Sequence, residues 1–174
     1  MESKMTTRPQ TVPEAAFTPG EAVVYPGHGV GTVTSIETQA VAGQKIMLFV
    51  VNFAQDRMTL RVPLHKAKAS GLRKISTPRE MASALATLKS PATTKKIIWN
   101  RRAVEYTAKI NSGNLTSIAE VVRDLYRPGV NPERSHSERL LYEQAMVRLT
   151  HEVAAVDKIE IDAATAKLER LLAA

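Results

Sequence analysis

A chain of 174 residues with 44% hydrophobic side chains can fill one large domain or two small ones with real cores. Cysteine is absent, which excludes disulfides, thiolate metal sites and cysteine nucleophiles. The 24 Lys and Arg against 17 Asp and Glu leave a net charge of +7, a balance that favours a polyanion such as nucleic acid over an acidic protein or a metal.

The N-terminal stretch MESKMTTRPQTVPEAA lacks the apolar core of a signal peptide, and no apolar run in the chain approaches the ~20 residues of a membrane helix. Residues 1–16 therefore read as a flexible polar tail on a cytoplasmic protein with no membrane role. From Phe17 to Ile75 the chain reads as short β segments: EAVVYP, VGTVTSIETQAV, QKIMLFVVNF, MTLRVPLH and a weaker AKASGLRKI. Pro26-Gly27-His28-Gly29 separates the first two, Ala42-Gly43-Gln44 makes a hairpin, and Ala54-Gln55-Asp56-Arg57 a second. Phe49, Val51 and Phe53 alternate with Leu48 and Val50, so this strand is apolar on both sides and belongs in the middle of a sheet. Pro63 cannot donate a ladder hydrogen bond, which marks the fourth segment as an edge or a strand end. Four or five strands in about sixty residues cannot make a large sandwich; they predict a small SH3- or Tudor-like antiparallel barrel over residues 17–75.

After Ile75 the period changes to that of helices. Thr77-Pro78-Arg79-Glu80 is a capping box with proline at the first helical position, opening a helix that Ser90-Pro91 closes. A second helix is expected over TTKKIIWNRRAVEY, residues 93–106, and onward to Ser112-Gly113. Ser117 to Glu120 reads as a second capping box ahead of IAEVVRDLYR, with Pro128-Gly129 beyond it. Ser135 to Glu138 is a third, before the longest helix, whose Leu141, Ala145, Leu149 and Val153 share one face. A last short helix runs from about Asp162. The expected class is α+β: a small barrel followed by an all-α domain of five helices over residues 76–174.

Catalytic chemistry finds little to stand on. His28, His65, His136 and His151 lie far apart in sequence, and only His151 has a carboxylate beside it, Glu152. Gly27-His28-Gly29-Val30-Gly31 lacks the lysine and following helix of a phosphate loop, so it reads as a turn. No enzyme activity, metal, cofactor or small-molecule substrate is expected. Arg61 to Lys74 carries five positive charges and no negative one, by default a solvated face. Between Lys89 and Lys109 six basic residues surround one acid, Glu105, and the chain's single tryptophan, Trp99. Trp99, Ala103, Tyr106 and Ile110 have the spacing of a core stripe. Ile97, Val104 and Ala108 form a second apolar row on the opposite side of the same helix, so one row is expected to be exposed.

The string PGEAVVYPGHGVGTV, the RVP at Arg61 to Pro63, the WNRR at Trp99 to Arg102 and the block IAEVVRDLYR resemble, in the same order, the CarD/CdnL family of bacterial transcription regulators. The likeness runs from about Phe17 to the C-terminus. It implies a Tudor-like domain that binds the β subunit of RNA polymerase, joined to a helical domain that contacts promoter DNA independently of sequence. By the same resemblance Trp99 is a wedge at the upstream edge of the transcription bubble, with Arg101 and Arg102 on phosphates and Lys95 and Lys96 just before them. Arg61, Val62 and Pro63 would contact polymerase, and Gln39, in IETQ, stands where some relatives have arginine. The founding member carries an added AT-hook-rich tail; this chain, ending at Ala174, resembles the shorter standalone branch, and a nucleoid-associated monomer is expected. Two other classes compete for the same features: an RNA- or ribosome-binding small-barrel protein, and a protein adaptor whose basic surface serves solubility.

Overall fold

The computed structural model describes residues 17–93, 97–129 and 134–174. The tail at residues 1–16 and the pair Lys95-Lys96 lie outside them. The elements run β1 (Ala22–Tyr25), β2 (Gly29–Val41), β3 (Gln44–Phe53), β4 (Met58–Pro63), α1 (Leu64–Ala67), β5 (Arg73–Lys74), α2 (Pro78–Lys89), α3 (Trp99–Asn111), α4 (Leu115–Leu125), α5 (His136–Asp157) and α6 (Ile161–Ala173). This is the α+β class that the change of period demands.

The five strands form one antiparallel sheet in the order β4-β3-β2-β1-β5. Ala42 and Gly43, both at positive φ, link β2 to β3 as a two-residue turn whose twist matches that of the strands it joins. On β3, Phe49, Val51 and Phe53 enter a core with Phe17, Val23, Val33, Val62 and Leu72, while Leu48 and Val50 are buried on the alternate side. The unbroken apolar run thus marks an interior strand, and β4 lies at the edge. The fifth segment differs from expectation. Pro63, at φ −57°, stands at the start of a helical turn, α1, and Gly71 at φ +87° reverses the chain, leaving only Arg73 and Lys74 to pair with β1. Leu64 to Ala67 contains no β-branched residue, and a proline start favours a helix.

In the helical half, Thr77 caps α2 by accepting from the Glu80 amide, and Ser135 caps α5 by accepting from that of Glu138. Two starts were misplaced by sequence reasoning. Helix α4 begins one turn earlier than Ser117: Gly113 at φ +71° breaks the chain, and Asn114 accepts from the Ser117 amide, an N-cap as good as serine. Helix α3 begins at Trp99, not Thr93. Ile98 holds an extended conformation there and offers no capping side chain. Two successive β-branched residues, Ile97 and Ile98, and no acid in the first turn give the helix little reason to extend backwards. Helix α4 is central to this half, packing on α2, α3 and α5, with Ile118, Ala119, Val121, Val122 and Leu125 buried. On α5, Ala145, Leu149 and Val153 are fully buried and Leu141 partly.

A polar joint connects the halves. Arg73 makes two hydrogen bonds to Glu152 of α5, at 2.7 and 3.0 Å, and two more to the Gly113 carbonyl at 2.7 and 3.0 Å. Ser76 donates its amide and its hydroxyl to the same Glu152 oxygen at 3.0 and 2.9 Å. A carboxylate only 2% exposed is thereby saturated with donors. The Pro26-Gly27-His28-Gly29 turn is the other half of the joint. A β-carbon at Gly71 or Gly113 would come within 2.6 or 3.3 Å of Pro26 Cγ, and Arg148 of α5 donates to the Gly27 carbonyl. Burial lowers the pKa of His151 and of Arg148, and the negative charge of Asp56 partly offsets both shifts.

Candidate nucleic-acid interface

Trp99 is the first residue of α3, and its ring is half-buried on the edge of the helical core. Three contacts hold it. The indole Nε1–H donates to Ser137 Oγ of α5 at 2.8 Å. The Arg102 guanidinium lies 5.8 Å from the Trp99 ring centre and 5.5 Å from that of Tyr106. The two rings themselves are 6.3 Å apart and tilted by 46°. Further along the helix Tyr106 and Ile110 are buried, so the stripe that starts at Trp99 becomes core about two to three turns on.

Arg101 and Arg102 point to different tasks. Arg101 is exposed. Arg102 is partly buried and donates Nη2 to Tyr106 Oη at 2.8 Å, which is anchored in turn near the buried Asp124 carboxylate. Asp124 also accepts from Arg123 Nε and the Thr93 amide. The second apolar row is the open one: Val104 is 70% exposed and Ala108 is exposed, as is Ile98 (73%) just before Trp99. An apolar strip therefore lies beside the partly open indole, with basic groups around it.

On the β half, Arg61 reaches across the sheet from the β4 edge to Glu37 of β2, Nε to Oε2 at 3.1 Å, with both side chains well exposed. Gln39, two residues further along β2, is exposed and Pro63 half-buried. Val62 requires a correction. Its side chain is 4% exposed and packs in the barrel core, because alternation along β4 turns it inward when Arg61 faces out. Only its backbone can take part in a surface contact. The sequence does not point to Ser137 or Asp124, and it marks Tyr106 only as a core residue; the capping box at Ser135 locates the start of α5 but not its position beside Trp99.

Among the described residues no cluster of three His, Cys, Asp or Glu side chains could hold a metal, and no helix is long and apolar enough to cross a membrane.

Both halves match family models. Residues 17–76 match the CarD-like/TRCF RID domain, and residues 83–169 match the CarD C-terminal domain. The class that sheet, helices and matches define is a two-part protein of the CarD type, and the chain belongs to the CarD/CdnL family. It is 27% identical over 143 residues to a protein of Bacillus subtilis (strain 168) named "Putative transcription factor YdeB", covering 82% of this chain and 94% of that protein. The solution structure of the 72-residue N-terminal domain of Myxococcus xanthus CarD is 38% identical over 33% of this chain and 77% of that one, with a TM-score of 0.30.

Proposed function

We propose that the protein regulates transcription without catalysing a reaction of its own, by docking on the β subunit of RNA polymerase and stabilising the promoter open complex. In this reading residues 17–75 are the docking domain, with Arg61, Gln39 and Pro63 at or near the sheet edge, and residues 76–174 the DNA-contacting domain. The observation that carries it is the placement of Trp99: one large flat ring, half-open to solvent at the start of a helix, with Arg101 exposed two residues on.

The physics is a population shift. An open promoter exchanges with a reclosed one, and a protein moves that balance only by its differential affinity for the two. An indole at the edge of a splayed base step needs unstacked bases to contact, and reclosing the duplex expels it. Arginines and lysines add affinity without sequence choice, because every phosphate is alike. Stacking on a base is worth about 1 to 3 kcal/mol, so Trp99→Ala should shorten open-complex lifetime roughly five- to a hundredfold while polymerase co-purification stays unchanged. Promoter dissociation kinetics with and without a competitor measure this directly. A lifetime equal to that of the unaltered protein would remove the wedge, and loss of helical circular dichroism in the variant would assign Trp99 to the core instead.

A further inference from the structure

We infer that Ser137 is a positioning residue for the Trp99 wedge: its hydroxyl oxygen holds the indole N–H and so orders the ring before DNA arrives. The inference rests on the wedge reading above and adds a residue of α5 to it. Trp99 sits at the first position of α3, where one face of the ring has no preceding helical turn to lean on. The contact that crosses from another element with defined geometry is the 2.8 Å bond to Ser137 Oγ. Ser137 is itself exposed and caps nothing; the cap of α5 is Ser135, which accepts from the Glu138 amide. That capping bond places the first turn of α5, and with it the Ser137 hydroxyl, at a fixed point beside α3.

The bond fastens the polar edge of the indole and leaves its carbon edges untied. Tyr106 lies tilted 46° to the ring and Arg102 5.8 Å from its centre, neither making a directional bond to it, so Ser137 is the contact that limits the ring's rotation. A ring ordered in advance loses less rotational freedom on insertion, and for one bulky side chain that saving corresponds to roughly a two- to tenfold gain in occupancy of the bound state.

Trp99 is the chain's single tryptophan, so its fluorescence reports this ring alone. The experiment compares Ser137→Ala, Ser137→Thr and Trp99→Ala with the unaltered full-length protein. Time-resolved indole anisotropy is read on the free protein, and open-complex lifetime and co-purification with polymerase holoenzyme on the complex. The expected result is faster local indole motion in Ser137→Ala, a lifetime shortened two- to tenfold, unchanged co-purification, and recovery of both readings in Ser137→Thr. An unchanged anisotropy in Ser137→Ala, or faster motion with an unaltered lifetime, would overturn the inference while a short lifetime for Trp99→Ala keeps the wedge. A normal lifetime for Trp99→Ala would instead overturn the wedge reading itself, whatever Ser137 does to the ring.

Discussion

Trp99 carries two signals that a sequence presents as rivals. Spacing with Tyr106 and Ile110 marks a core stripe, and basic neighbours mark a surface that meets polyanions. The helix resolves them along its length: Tyr106 and Ile110 are buried, whereas Trp99, at the end of the row, is only partly so. Arg102 shows the same economy, stacked near both rings with one nitrogen committed to Tyr106. In the proposed docking, Arg61 is the residue on which the polymerase contact would depend. Its bond to Glu37 joins two exposed groups, a kind of pair worth about 0 to 1 kcal/mol, so it is readily exchanged for a partner's carboxylate. Arg61→Glu should therefore abolish co-purification with polymerase and leave binding to naked DNA intact. Retention on polymerase would dismiss the edge-docking idea.

At the scale of elements, the joint decides whether two modules act as one. The turn PGHG, which superficially resembles a phosphate loop, receives Arg148 of α5 instead, whose side chain reaches the Gly27 carbonyl, and Pro26 fits between Gly71 and Gly113 where no β-carbon intervenes. Glu152, the one carboxylate adjacent in sequence to a histidine, holds Arg73 and Ser76. Arg73→Met would leave this carboxylate buried with the Ser76 donors alone. Breaking a fully buried pair costs about 3 to 5 kcal/mol; the Arg73 side chain is 31% exposed, so a loss of roughly 2 to 3 kcal/mol is expected. Urea unfolding followed by far-ultraviolet circular dichroism measures it. A midpoint that does not move would show that the joint adds nothing to stability.

For the whole molecule, a charge of +7 spread over two halves suits weak, general attraction to DNA. If about four phosphates are neutralised, the logarithm of affinity for a duplex fragment should fall with the logarithm of salt at a slope near −3.6. A slope near zero in a fluorescence titration from low to physiological salt would count against phosphate contacts. Binding of this kind does not select promoters. In the proposed mode, attachment through the β half would raise the effective concentration of the helical half at the bubble, so choice of promoter would pass to the polymerase.

Periodicity by itself determined the α+β class, the interior place of β3, the capped starts of α2 and α5, and the position of Trp99 in a basic neighbourhood, because each is encoded within a few consecutive residues. The starts of α3 and α4 escaped because local signals compete: Ile98 ahead of Trp99 offers no capping side chain to mark the start of α3, and Asn114 capped ahead of a serine that also fitted. Only the tertiary structure decided that Arg73 finds Glu152 across 79 positions of chain and that Ser137 stands against the indole. Those pairings depend on how helices and sheet pack against one another, and packing is set by complementary shapes distant in sequence, which no local pattern records.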